Sequence, residues 1–162
     1  MIFVTVGTQL AFDRLVIAMD GWAAANPAEE VFAQTGPSSL TVRSMGHAEF
    51  VRPDEADALF RKASLVVSHA GMGSILTALK YRKPIVIVPR KASLGEHRND
   101  HQLATAKWLA GRPGLVVAWE TEELLRILDQ RDGLAVGDGI PESASPEFIA
   151  RLREYLGDPR RS

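Results

Sequence analysis

The sequence of 162 residues contains no cysteine. Disulfide bonds, thiol catalysis and cysteine-ligated zinc are therefore excluded, and the absence fits a reducing compartment. An excess of one charge is also missing, because 19 Lys and Arg residues are balanced by 20 Asp and Glu residues. Proteins that bind duplex nucleic acid usually carry a strong basic excess, so we expect no nucleic acid partner.

Long apolar runs are absent as well, since none approaches the roughly 18 residues needed to cross a bilayer. The chain begins with Met1-Ile2-Phe3-Val4-Thr5-Val6-Gly7, which predicts a strand ending in a turn and lacks the charged start of a signal peptide. We therefore expect a cytoplasmic protein. With 46% apolar residues, the composition predicts one domain with a sizeable core.

Short apolar runs alternate with amphipathic segments along most of the chain. The runs predicted as strands are Ile2–Val6, Val31–Gln34, Leu40–Arg43, Leu65–Ser68, Ile85–Val88 and Leu115–Trp119. The segments predicted as helices are Phe12–Ala25, Asp54–Ala63, Ser74–Tyr81, Asp100–Ala110 and Glu122–Gln130. Several runs are continuous rather than alternating, which is typical of parallel strands buried on both faces. The order predicts a doubly wound, mostly parallel, Rossmann-like α/β domain over residues 1–130.

The pattern changes after residue 130. Residues 131–146 are rich in Gly, Pro and Ser and are predicted to form a linker. A C-terminal helix is predicted over residues 147–157, with one apolar stripe formed by Phe148, Ile149, Leu152, Tyr155 and Leu156. This stripe fits two uses equally well, packing on the chain's own sheet or docking to a partner chain.

A glycine-rich turn follows the predicted strand Leu65–Ser68. It reads His69-Ala70-Gly71-Met72-Gly73-Ser74 and leads directly into a predicted helix. The free N–H groups at such a helix start attract phosphate, and Ser74 could cap the helix or bond a phosphate oxygen. The turn is neither a Walker loop nor a full dinucleotide fingerprint, because the lysine of the first and the third glycine of the second are missing. A tight turn without a ligand is the alternative.

Two further loops are predicted to lie at the same edge of the sheet. Gly7 and Thr8 follow the first strand, and the run Gly95–Gln102 follows the strand Ile85–Val88. The second run carries groups that bond sugar hydroxyls, namely Glu96, His97, Asn99, Asp100 and Gln102. Helix capping by Asn99 with Gln102 is the alternative, but it does not explain the other three residues. The spacing of His97 and His101 suits one helix face, but the H-E-x-x-H glutamate is absent and basic residues adjoin them, so we expect no metal site.

These motifs together resemble a known family. The His69–Ser74 turn between a strand and a helix, then Pro89, then Asn99-Asp100-His101-Gln102, is similar to the C-terminal half of family 28 glycosyltransferases. The resemblance covers residues 2 to 130 and implies half of a GT-B fold, in which two Rossmann-like domains face a cleft. The start Val4-Thr5-Val6-Gly7-Thr8 looks like the split members of the family, and the run Pro89–Gln102 looks most like their bacterial exopolysaccharide type.

The resemblance implies roles for individual residues. Gly71, Met72, Gly73 and Ser74 would hold the diphosphate of a UDP-sugar, and Gly7 and Thr8 would line the opposite side of the cleft. His69 would lie near the diphosphate or the sugar. Sugar hydroxyls would be bound by Asp100 and Gln102, with Glu96 and Asn99 nearby. Thr77 stands where the family commonly has a glutamate that holds the ribose, so ribose binding must be weaker, made differently or shared with Glu96.

The donor sugar is a separate question. Arg90, Lys91 and Arg98 lie near the predicted sugar end, and cations there would favour a carboxylate on the sugar. We therefore expect UDP-glucuronate ahead of UDP-glucose and UDP-N-acetylglucosamine. The pair Arg90-Lys91 leaves an NADP-binding oxidoreductase module as an alternative, because it could accept a 2′-phosphate. A regulatory UDP-sugar binder without activity is a further alternative.

The resemblance also implies a partner. In split enzymes the small chain binds the donor, while a membrane-anchored chain binds a lipid-linked saccharide acceptor and usually carries the catalytic base. We therefore expect this chain to be inactive alone, to need no cofactor or metal, and to reach the inner face of the membrane through its partner.

Overall fold

Six parallel strands form one sheet in the computed structural model, which describes residues 1–137 and 139. The strands are β1 (Ile2–Thr5), β2 (Val31–Gln34), β3 (Gly46–Ala48), β4 (Leu65–His69), β5 (Ile85–Val88) and β6 (Leu115–Val117). Their order in the sheet is β3-β2-β1-β4-β5-β6, and every neighbouring pair is parallel. The predicted Rossmann-like fold is confirmed, since this is the strand order of that fold.

Within the described part of the chain, five α-helices cover the sheet on both faces. They are α1 (Asp13–Ala25), α2 (Pro53–Lys62), α3 (Met72–Lys80), α4 (His101–Leu109) and α5 (Thr121–Asp129). Buried residues of α1 and α5, such as Leu15 and Leu124, share one core with one face of the sheet. Buried residues of α2, α3 and α4, such as Phe60, Ile75 and Ala106, share a second core with the other face. The domain is therefore doubly wound, as predicted.

The continuous apolar runs divide their side chains between these two cores. All four residues of β5 are buried. Val86 and Val88 lie in the core with α1, whereas Ile85 and Ile87 lie in the core with α3 and α4. Successive side chains of a strand point to opposite faces, so a strand covered on both sides needs an apolar residue at every position.

The predicted strand Leu40–Arg43 is wrong. That segment has no strand pairing, and the edge strand is β3, three residues further on. The backbone N–H groups of Arg43 and Ser44 donate to the carboxylate of Asp20 on α1, at 3.1 and 2.7 Å. These donors are thus used by a side chain rather than by a sheet ladder, while Leu40 and Val42 pack partly buried against the α1 core.

The C-terminal predictions fall mainly beyond the described residues. Arg131–Gly133 forms a short 3₁₀ helix at the start of the predicted linker 131–146. The predicted helix over residues 147–157, with its apolar stripe, lies outside the described residues. Within residues 1–137, none of the helices combines the length and the apolar character that crossing a membrane requires.

Two leucine-sized residues of α1 test the burial argument. Leu15 is 0% exposed and Ile17 is 59% exposed. We expect Leu15→Ala to lower the free energy of unfolding by about 2–5 kcal/mol, because it removes buried methyl groups and leaves a cavity. Ile17→Ala should change it by no more than about 0.5 kcal/mol. Urea unfolding of both variants measures this, and equal losses would contradict the packing described here.

Candidate functional site

A cavity of about 550 Å³ opens at the carboxyl edge of the sheet. It lies between the ends of β1 and β4, where the strand order reverses, and ligands of open α/β sheets bind at that point. Its polar lining includes Thr5, Gly7, Thr8, Gln9, Gln34, His69, Gly73, Ser74, Thr77, Arg90, His97 and Gln102. The loops predicted from sequence to share one edge are thus brought together.

The start of α3 presents unpaired donors to this cavity. The helix begins at Met72 with Gly71 as its N-cap, and no side chain caps it. The first bond back to the cap runs from the Ile75 N–H to the Gly71 carbonyl, at 3.2 Å. Among the described residues, the N–H groups of Met72, Gly73 and Ser74 therefore have no partner. Free amides and the helix dipole make this end attractive to an anion.

Gly71 and Gly73 of the turn differ in what surrounds the position of an added Cβ atom. A Cβ added at Gly71 would lie 2.1 Å from Nε2 of His69, so the imidazole occupies that space. A Cβ at Gly7 would also lie 2.9 Å from Cε1 of the same ring. A Cβ at Gly73, by contrast, would meet nothing within 4 Å. Gly71 and Gly7 thus admit the His69 ring, whereas only Gly73 leaves open space for a ligand beside the helix start.

His69 is held as a neutral ring. Burial, and next the positive charge of Arg90, lower its pKa to about 4. Its Nδ1 lies 3.5 Å from the Thr5 carbonyl and 3.3 Å from the Ser68 hydroxyl. At neutral pH the His69 imidazole therefore offers no positive charge to a phosphate, whereas the free amides at the start of α3 do attract an anion.

Arg90 does not have the role that the sequence suggested. It is 2% exposed, and its guanidinium donates to the backbone carbonyls of Val6, Leu10, Ala11 and Glu96. These bonds use the fork that a sugar carboxylate would need. Lys91 is also occupied, because its ammonium pairs with the carboxylate of Glu120. Of the three cations, Arg98 alone is exposed.

Glu96 is likewise occupied within the protein. Its carboxylate pairs with the Arg14 guanidinium, at 2.7 and 3.0 Å, and accepts the Lys91 N–H at 2.9 Å. Both of its oxygens are thereby used, so the geometry gives Glu96 a role in holding the loop after β5 rather than in contacting a sugar. Arg14 also donates to the Pro89 carbonyl, which ties the same loop to α1.

Of the remaining predicted residues of the loop after β5, Gln102 lines the cavity and Asn99 and Asp100 do not. The Oε1 atom of Gln102 accepts the N–H groups of Ala70 and Arg90, at 3.2 and 3.1 Å. Gln102 therefore joins the loop before α3 to the loop after β5. Asn99 and Asp100 are exposed and do not line the cavity. Their side chains accept backbone N–H groups of His101 and Ala92 instead, at 3.2 and 3.0 Å.

Sequence reasoning missed part of the cavity wall. Gln34 lines it, and its side chain joins the Gly7 carbonyl to the Val51 N–H at 3.1 and 3.2 Å. His97, which belongs to the run Gly95–Gln102 that was predicted to lie at this edge, also lines it. A polar residue at the end of a buried strand, such as Gln34, was a usable signal. The apolar wall gave none, because residues of this kind are indistinguishable from core in sequence; it is formed by Val51, Pro53, Ala56 and Phe60.

No group of three or more His, Asp or Glu side chains that could hold a metal ion is found within the described part of the chain. The acidic groups nearest the cavity are engaged by arginine, lysine or backbone donors. The site thus offers an anion-attracting helix end, an apolar wall and several amide and hydroxyl groups. This combination is typical of the ligand sites of nucleotide-binding α/β domains.

Comparison with known proteins gives the family. Residues 1–129 match the glycosyltransferase family 28 C-terminal domain, and the chain belongs to this family. It is 32% identical over 118 residues to the human UDP-N-acetylglucosamine transferase subunit ALG13, a match that covers 67% of this chain and 10% of the human protein. The chain thus spans about a tenth of that relative's length.

Solved structures agree on the fold. The glycotransferase of kitacinnamycin superposes with a TM-score of 0.61 at 18% identity, over 94% of this chain and 37% of that one. An NMR structure of ALG13 superposes with a TM-score of 0.59 at 18% identity, over 93% of this chain and 94% of that one. The predicted GT-B-type architecture is confirmed for this half of the fold.

Gly71→Ala tests the packing of His69. The added methyl group would overlap the imidazole, so we expect the ring to move and the free energy of unfolding to fall by about 1–3 kcal/mol. Gly73→Ala is the matched control, since it adds the same group to open space, and should not lower stability. Urea unfolding of both variants provides the measurement, and a G71A variant as stable as the wild type would contradict this packing.

The lowered pKa of His69 predicts a dependence of stability on pH. Because the folded-state pKa of about 4 lies below the ordinary value of 6.5, the unfolded state takes up the proton first as the pH falls. The stability due to neutral His69 is present above about pH 6.5 and declines towards pH 4. Between pH 7.5 and 5.0 we expect a loss of about 2 kcal/mol from this group.

Denaturant unfolding at both pH values measures this loss. His69→Gln should reduce the pH dependence by that amount. Identical pH dependence in H69Q and wild type would show that His69 is not held neutral.

Proposed function

We propose that this chain is the donor-binding half of a two-chain glycosyltransferase that uses a UDP-sugar. The observation that carries the proposal is the set of unpaired N–H groups at Met72, Gly73 and Ser74, at the start of α3 beside the cavity. A diphosphate at this helix end would accept those N–H groups. In the transfer reaction the same donors would stabilise the charge that develops on the leaving diphosphate.

The rest of the cavity suits a nucleoside. The wall formed by Val51, Pro53, Ala56 and Phe60 is apolar and can cover a flat base. Thr77 also lines the cavity, and its hydroxyl donates to the Gly73 carbonyl at 2.8 Å. The hydroxyl oxygen can still accept a bond from a ribose hydroxyl. Thr77 is thus our candidate for the ribose contact that a glutamate commonly makes in the family.

For the donor sugar we propose N-acetylglucosamine before glucuronate. The preference for glucuronate depended on Arg90, Lys91 and Arg98, and two of these cations are engaged within the protein. The human relative is named a UDP-N-acetylglucosamine transferase subunit. An NADP-dependent activity has lost its support, because Arg90 is not free to bind a 2′-phosphate and the chain belongs to a glycosyltransferase family.

We infer that a second chain completes the enzyme. The chain corresponds to 37% of the kitacinnamycin glycotransferase, and its human relative is named a subunit. The partner that we propose is membrane-anchored, binds a lipid-linked saccharide acceptor of exopolysaccharide synthesis and supplies the catalytic base. This chain would reach the membrane's inner face through it. Transfer is expected without a metal ion, because α3 supplies the stabilisation of the leaving group.

Gly73→Ala tests the diphosphate site. We expect UDP to bind at least about tenfold more weakly to this variant, since a methyl group would stand where the phosphate must approach the amides; tenfold is about 1.4 kcal/mol. Isothermal calorimetry with UDP measures the change. Gly21→Ala is the matched control, because Gly21 is also helical with nothing within 4 Å of an added Cβ, and it lies on α1 away from the cavity.

Unchanged UDP affinity in Gly73→Ala, or no binding of UDP to the wild-type chain, would refute the proposed site. Transfer is tested with radiolabelled UDP-N-acetylglucosamine and UDP-glucuronate, a lipid-linked saccharide acceptor and EDTA, with and without the co-expressed candidate partner. We expect transfer only when both chains are present, and full turnover by this chain alone would refute the division into two chains. Faster transfer of glucuronate would reverse our choice of sugar.

A further inference from the structure

The loop between β1 and α1 forms one wall of the cavity but has few bonds of its own. Gly7, Thr8, Gln9 and Leu10 line the cavity, and the side chains of the last three are exposed. Among the described residues, the backbone N–H groups of residues 8–11 have no hydrogen-bond partner. A segment with so few backbone hydrogen bonds is ordinarily mobile, so contacts from another part of the protein must hold it in position.

Arg90 supplies bonds that this loop lacks. Its Nη2 donates to the carbonyls of Val6 and Leu10, at 2.8 and 2.7 Å, and its Nη1 donates to the carbonyl of Ala11. Its guanidinium carbon lies 4.6 Å from the centre of the Phe12 ring, just beyond the loop. The buried side chain of Arg90, which follows β5, thus forms hydrogen bonds at both ends of the segment 6–11. A planar guanidinium can span several carbonyls in this way, whereas an ammonium cannot.

The same guanidinium has no carboxylate partner. No described acidic residue forms an ion pair with Arg90, and the nearby Glu96 carboxylate is used by Arg14. Buried arginines are usually paired with carboxylates, because an unpaired buried charge is costly. Here the Arg90 charge lies beside a cavity without an ion-pair partner among the described residues, and only the nearby Glu96 carboxylate offsets part of it. The same charge contributes to the lowered pKa of His69. This arrangement fits a site that receives its negative charge from a ligand.

We propose that Arg90 is a positioning residue that holds the wall of residues 6–11 in the shape that accepts a diphosphate. It acts through backbone carbonyls, without itself bonding the ligand. This inference rests on the proposed function for the identity of the ligand. The anchoring of the loop by Arg90 stands on the geometry alone.

Arg90→Lys tests the proposal, because it keeps the charge and removes the planar fork. We expect ¹⁵N order parameters of residues 7–11 to fall from about 0.85 to below about 0.6 in this variant. UDP affinity, measured by calorimetry on the folded variant, should fall about tenfold. Arg131→Lys is the matched control. Arg131 also donates to a backbone carbonyl, that of Leu128, and lies over a Trp22 ring, but it does not line the cavity.

If Arg90 only stabilises the fold, we expect both R90K and R131K to be less stable than the wild type, and the UDP affinity of folded R90K to be unchanged. Wild-type affinity in R90K therefore overturns the proposal, as does weaker binding with a loop as rigid as in the wild type. If R90K does not fold, the wild-type order parameters decide, since a mobile loop overturns the proposal and a rigid one supports it. Absence of UDP binding to the wild type would refute the proposed function while leaving the anchoring test intact.

Discussion

The reversal of strand order between β1 and β4 is the constraint on which the rest of this structure depends. Chain connections leave β1 and β4 for opposite faces of the sheet, so the loops after them diverge and a cavity opens between them. The free amides of α3 lie at this point because α3 follows β4 directly. A helix end elsewhere on the surface would have the same dipole without a cavity beside it.

The free amides at the start of α3 and the guanidinium of Arg90 both lie at this cavity and attract an anion to it. His69 adds no charge near neutral pH, because burial and the Arg90 charge lower its pKa to about 4. Burial of the histidine costs stability under acidic conditions. The His69 ring fills the space between the loops after β1 and β4, so a residue with a Cβ atom at position 71 would overlap it.

Three long polar side chains each connect two of the segments that surround the cavity. Gln34 links the loop after β1 to the segment before α2, and Gln102 links the loop before α3 to the loop after β5. Arg90 links the loop after β1 to the loop after β5. Each linker bonds backbone groups, so the walls are preorganised before any ligand arrives, which lowers the entropic cost of binding.

The sequence by itself determined the parallel sheet, the positions of five of its six strands and the three loops that meet at its edge, because buried strands and glycine turns are local patterns. It failed at β3, where the carboxylate of Asp20, distant in sequence, takes the donors of Arg43 and Ser44. Only the tertiary structure decided which polar residues of the site are available. Charged residue types such as Glu96, Arg90 and Lys91 often contact ligands, but here their side chains bond groups of the protein that lie on other elements. A local sequence pattern does not encode which of these groups a side chain will contact.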